Sequence, residues 1–142
     1  MKRSIRWMIS ALAVAAIAIQ FVPVDRTNPP VEGEVPATAE VRSILRRACY
    51  DCHSNETVWL WYSYVAPMSW LIARDVREGR DALNFSTWNQ LDAIDQAKGL
   101  RESWKETEEG EMPPWFYVPL HWGASLSGQD RAALHAWATA PR

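Results

Sequence analysis

Cys49 and Cys52 are the two cysteines of the chain, and His53 follows the second directly. Three residues apart near a helix end, the two thiols share one side. At that spacing they can add to the two vinyl groups of one haem, giving two thioether links. The adjacent imidazole can then reach the iron from the proximal side. Two other uses of a C-x-x-C pair fit less well. A zinc site needs about four ligands, often from two Cys/His pairs, and only His121 and His135 remain, at irregular spacing. A thioredoxin-like dithiol belongs beside a βαβ pattern, which this sequence lacks. With two cysteines there is no disulfide framework.

A ligand for the other face of the iron must come from elsewhere. Met112 lies in Glu111-Met112-Pro113-Pro114-Trp115. Its prolines restrict the loop, and thioether sulfur is a known partner of histidine on haem iron. Three alternatives stay open: Met68, which a helix face would more often use as core filler; His121, giving bis-histidine ligation; and an open or water-bound site. His135 is expected to point outward from the last helix. Glu106, Glu108, Glu109 and Glu111 precede or flank Met112. They read as a solvated helix end or as a docking edge for a basic redox partner.

These residues need elements to position them. Thr38 is expected to cap a helix running to about Cys52, with Val41, Ile44, Leu45, Ala48 and Cys52 on one face. Pro67 opens a second helix that bears Met68, Leu71, Ile72 and Val76 and stops near Gly79. Ser86 caps a third, carrying Trp88, Leu91 and Ile94, with a break or kink at Gly99 and a further turn over Trp104 to Glu109. Gly110, Pro113, Pro114 and Pro119 make a loop. Ser127 caps the last helix, with Asp130 as a weak capping-box partner and Ala133, Leu134, Trp137 and Ala138 as its stripe. No segment alternates with period two, so the fold is expected to be all-α: a small cytochrome c-like helical domain with long ordered loops.

The 142 residues suit one modest domain. At the N-terminus, Lys2, Arg3 and Arg6 precede an apolar run from Trp7 to Val22 that Pro23 ends. That order places the N-terminus in the cytoplasm and the body outside. The segment reads as an uncleaved anchor; cleavage after Ala16-Ile17-Ala18 is the alternative, although it would cut inside the apolar run. The expected organisation is residues 1–24 as signal anchor or signal peptide, 25–36 as a Pro- and Glu-rich linker, and 37–142 as a c-type haem-binding domain. Without those three cations the formal net charge falls from −2 to −5, which excludes the basic footprint of a nucleic-acid binder. Nine tryptophans serve either to fill a small core or to wall a flat macrocycle.

The sequence resembles the bacterial haem-binding domain proteins, small exported single-haem proteins related to cytochromes c. The resemblance rests on Cys49-Tyr50-Asp51-Cys52-His53-Ser54-Asn55-Glu56-Thr57, Trp61-Tyr62-Ser63-Tyr64-Val65-Ala66-Pro67, Glu78-Gly79-Arg80 with Leu83-Asn84-Phe85-Ser86, and Glu109-Gly110-Glu111-Met112-Pro113-Pro114. It covers residues 38 to 140, with Leu60 where the family would have proline. It implies haem binding through Cys49, Cys52 and His53. The functional expectation is one covalent haem c and electron transfer on the periplasmic side of the cytoplasmic membrane. The alternatives are a peroxidase or gas or redox sensor with an open distal site, and a non-redox module in which haem is structural.

Overall fold

A computed structural model describes residues 2–141. Met1 and Arg142, the outermost residues of the expected anchor and domain, lie outside the described residues, as does the side chain of Lys2. The described chain is all-α, with six α-helices and short 3-10 turns and no strand. It forms two compact units. One combines the residues up to Thr27 with Trp59–Asp75; the other combines Asn28–Val58 with Val76 onward.

The first unit contains α1 (Lys2–Ala18), continued by a 3-10 turn at Ile19–Phe21. Residues Arg3–Phe21 make a helical run long and apolar enough to cross a membrane, by length and composition. Its apolar side chains other than the half-buried Ile19 are exposed, as expected of a segment suited to lipid or to a translocation signal.

The second unit is built on α2 (Ala39–Ala48). Thr38 is extended and its Oγ1 accepts a hydrogen bond from the Val41 amide at 3.2 Å. Glu40 lies in the first turn and Arg46 and Arg47 in the last, matching the helix dipole. Val41, Ile44, Leu45 and Ala48 are buried, as their spacing predicts. The helix does not run unbroken to Cys52. Cys49 leaves helical geometry (φ −127°, ψ −35°), and one further turn, α3 (Tyr50–His53), starts from it. The break accompanies burial of Tyr50, whose ring stacks on Phe85 at 5.7 Å.

Helix α4 (Met68–Ala82) passes through Gly79, which was expected to end it. Of its expected apolar face, Val76 is buried but Met68 and Leu71 are exposed. A Cβ at Gly79 would lie 2.5 Å from the carbonyl oxygen of Cys52 and 3.0 Å from its Cβ. The glycine is there so that helix and motif can meet backbone to backbone. Gly79→Ala should therefore destabilise the fold by about 1–3 kcal/mol, outweighing the roughly 1 kcal/mol that alanine gains in helix propensity. Gly128→Ala, where a Cβ meets nothing within 4 Å, should not destabilise. Urea unfolding of both variants measures the contrast.

The third expected helix starts later. Ser86 Oγ accepts a hydrogen bond from the Asn55 amide (2.9 Å) instead of capping, and Trp88–Gln90 is a lone 3-10 turn. Asp92 caps α5 (Ala93–Glu109), accepting from the Ile94 and Asp95 amides at 2.8 Å each. Helix α5 runs unbroken through Gly99, which lies buried under Leu83 and Trp88. Helix α6 (Gly128–Thr139) begins with a complete capping box between Ser127 and Asp130 and packs on α2 and α5. Leu134, Trp137 and Ala138 are buried, and Trp137 Nε1 donates to the Pro36 carbonyl at 2.9 Å. His135 is exposed, as expected, but its ring lies 4.7 Å from that of Trp104.

Part of the expected linker is fixed in this unit. Val35 is 1% exposed within the core, and the Glu32 and Gly33 amides donate to the Ser86 carbonyl. Apolar burial of Val35 and these backbone bonds give the stretch an ordered path, which its Pro-rich composition alone did not suggest.

One ion pair ties α2 to α6. Arg47 Nη2 lies 2.6 Å from Asp130 Oδ1. The Arg47 hydrogen bond, with further bonds from Ser127, lowers the Asp130 carboxyl from 3.8 to about 2. A folded value below the unfolded one means stability that is present above about pH 4 and lost as pH falls through about 2. Asp130→Asn should melt below the wild type near neutral pH, and the gap should close as the medium approaches pH 2. Thermal melts across that range check it.

Candidate haem site

The motif occupies the turn from α2 into α3, and the surrounding chain fixes its histidine. Phe85 donates its amide to the His53 carbonyl at 2.8 Å. His53 Nδ1 lies 3.0 Å from the Leu83 carbonyl oxygen. A carbonyl can only accept, so the Nδ1 proton points to Leu83 and the free lone pair is on Nε2. Burial lowers the His53 pKa, against the opposing pull of the Leu83 and Gly79 carbonyls. The ring is thereby favoured in the neutral form a metal requires.

The residues following the motif are scaffold. Ser54 Oγ donates to the Tyr50 carbonyl at 2.7 Å, and Asn84 Nδ2 donates to Asn55 Oδ1 at 2.8 Å. Arg80 Nε donates to the Ser54 carbonyl at 2.8 Å, and its Nη2 reaches Thr57 Oγ1 and Asn28 Oδ1 at 2.9 Å each. Separate sequence motifs thus converge on one polar network that braces α3 from behind. Such satisfied networks specify one geometry for the group they support.

Cys49 and Cys52 are not joined as a disulfide. Burial, and secondarily the neighbouring Cys52, push the Cys49 thiol up to about 12. Cys49 and His53 line a cavity of about 400 Å³ together with Met112, a size within the range of ligand clefts. Leu45, Leu83, Phe85, Leu134 and Trp137 contribute apolar wall, and Trp104 and Glu106 also line it. Among the tryptophans, Trp88 fills core, Trp137 belongs to the core and also lines the cavity, and Trp104 lines it too.

Met112 is carried there by the end of α5. Gly110 takes the left-handed conformation (φ 81°) that ends the helix. The Glu111 and Met112 amides both donate to the Glu106 carbonyl at 3.0 Å. Farther along this loop, Tyr117 Oη donates to Asp51 Oδ2 at 2.7 Å. Asp51 is inside the cysteine motif, so motif and loop are tied directly.

The rival ligands are elsewhere. His121 stacks on Tyr117 with centroids 3.7 Å apart, and its Nδ1 is 3.0 Å from the Tyr117 carbonyl. Its Nε2 lies 3.6 Å from Asp51 Oδ2. It does not line the cavity, and neither does Met68, an exposed residue of the first unit. Asp51, Tyr117 and the Leu83 carbonyl were not predicted. The long-range partners of Asp51 and Leu83 leave no local spacing signal.

The donors lining the cavity fit haem: imidazole nitrogen and thioether sulfur for iron, the Cys49 thiol beside them, and apolar and aromatic walls for the macrocycle, while Cys52, the other expected thiol, does not line it. The comparisons agree. The family model described as a haem-binding domain matches residues 14–140. Cytochrome c peroxidase Ccp of Escherichia coli (strain K12) is 22% identical over 145 residues, covering 91% of this chain and 31% of that protein. The chain thus spans about a third of that relative's length. No solved structure matches.

Proposed function

The chain belongs to the haem-binding domain family, and from that premise we propose that it carries one haem c, bound through Cys49 and Cys52, and passes electrons outside the cytoplasmic membrane. His53 is assigned as the proximal ligand and Met112 as the distal one. The observation that carries this reading is the shared cavity of Cys49, His53 and Met112, with His53 Nδ1 at hydrogen-bond distance from the Leu83 carbonyl, an arrangement that leaves Nε2 for iron.

Haem supplies reversible one-electron chemistry when bound. The protein's part is positional. Leu83 orients the imidazole, Glu106 holds the loop of Met112, and the apolar walls limit water at the metal. With His53 and Met112 both holding the iron, no ligand position would be open to a substrate, which would favour a carrier over an enzyme. The similarity to a cytochrome c peroxidase supports a second reading, an open-site peroxidase or sensor. Optical spectra of oxidised and reduced protein, with and without carbon monoxide, separate the two. A carrier should show low-spin six-coordinate bands in both states and be slow to bind carbon monoxide. Immediate formation of a carbon monoxide complex would contradict it.

Helix α1 serves as the anchor in this reading and places the rest of the chain on the periplasmic side. Glu108, Glu109 and Glu111 are exposed and Glu106 lies at the cavity, an acidic edge suited to a basic redox partner. Charges reach only about 8 Å at physiological ionic strength. Reduction by the partner should therefore slow as salt rises and as Glu108 and Glu109 are changed to Gln. Stopped-flow rates against ionic strength test this; a flat response would remove the acidic edge from the account.

A further inference from the structure

The anchor and a distant aromatic segment are built into one unit. Beyond α1, the Gln20 side chain pairs with both backbone groups of Ala66: its Oε1 accepts from the amide at 2.9 Å and its Nε2 donates to the carbonyl at 3.2 Å. Arg26 donates to the Ser63 carbonyl at 3.3 Å and lies over the Tyr64 ring at 4.6 Å. Residues 63–66 are thus fastened to the C-terminal end of the apolar helix.

The depth of that end follows from helix geometry. The 19 residues Arg3–Phe21 rise about 28 Å at 1.5 Å each, close to the hydrocarbon thickness of about 30 Å. With the N-terminal cations at one headgroup layer, Gln20 reaches the other. What it holds there is apolar and uncovered. Trp61 is 76% exposed, Tyr64 58% and Leu71 50%, with Val65, Met68 and Trp70 also exposed. Scattered exposed apolar residues are ordinary; this many within Trp61–Leu71 make a patch.

We infer that Trp61–Leu71 is a membrane-interface pad, seated in the outer headgroup layer of a phospholipid bilayer beside the end of α1. Tryptophan and tyrosine favour that layer because an apolar ring can enter while its polar atom stays wet. The Gln20 pairing suits the same place, since it satisfies backbone groups that would be costly to leave unpaired near lipid. The chain is then held by two contacts instead of one. This inference rests on α1 being the anchor.

The test uses the full haem-loaded chain in vesicles of phosphatidylcholine and phosphatidylglycerol. The photo-crosslinking variants are Leu12→p-benzoylphenylalanine, Trp61→p-benzoylphenylalanine and Tyr64→p-benzoylphenylalanine. Mass spectrometry should find phospholipid adducts at all three positions. Adding Gln20→Leu should reduce the adducts at positions 61 and 64 and leave position 12 unchanged. Adducts at position 12 alone would overturn the pad and leave the anchor standing. No lipid adduct at any position, in protein with unaltered haem bands, would overturn both.

Discussion

Met112→Ala is expected to abolish the weak absorption band that ferric haem shows near the red edge of the visible spectrum under sulfur ligation. It should also lower the reduction potential and open the iron to carbon monoxide and cyanide. Met112 shares the cavity with His53 and Cys49, and its amide is held by the Glu106 carbonyl. As a ligand, the sulfur would therefore be delivered by a fixed backbone, at little entropic cost. Methionine ligation favours the reduced state, and axial ligands govern potentials over a range of roughly 0.8 V, so the fall should be large by voltammetry. His121→Ala and Met68→Ala should keep the band, because neither side chain lines the cavity. A Met112→Ala protein with the wild-type spectrum and potential would reduce Met112 to a loop residue and strengthen the open-site reading.

The second large effect concerns attachment. Cys49→Ala combined with Cys52→Ala should release all haem into acidified organic solvent, whereas the wild type should keep it with the protein. Each single variant should retain haem through the remaining thioether. The double variant still has His53, oriented by Leu83, and the same apolar walls. It can bind haem reversibly before extraction, so the solvent step is the discriminating readout. Haem that stays with the double variant through extraction would refute attachment through these thiols.

Legibility in the sequence followed how local each interaction is. Thr38, Ser127 and the stripe Val41, Ile44, Leu45 and Ala48 were readable because capping and burial act within a few residues. The lone 3-10 turn at Trp88 and the late start of α5 were not. Ser86 looked like a cap, but its Oγ accepts from the Asn55 amide, a contact across 31 residues. Gly79 looked like a stop, and only its approach to Cys52 shows why a glycine stands inside α4. In the candidate site, Cys49, His53 and Met112, which line one cavity, were expected from residue type and spacing; Cys52 was expected with them but does not line it. The groups that hold them were not, because the Leu83 carbonyl belongs to every residue alike and the Asp51–Tyr117 bond spans 66 residues.

The most direct test of the central claim is the intact mass of the purified wild-type chain in denaturing solvent. Haem held only by axial ligands and packing departs when the fold is lost; haem held by two thioethers does not. The expected spectrum is a single species heavier than the chain by one haem, with the added mass on the peptide containing Cys49 and Cys52 after digestion. A species with the mass of the chain alone, from protein that showed haem absorption before denaturation, would contradict covalent attachment.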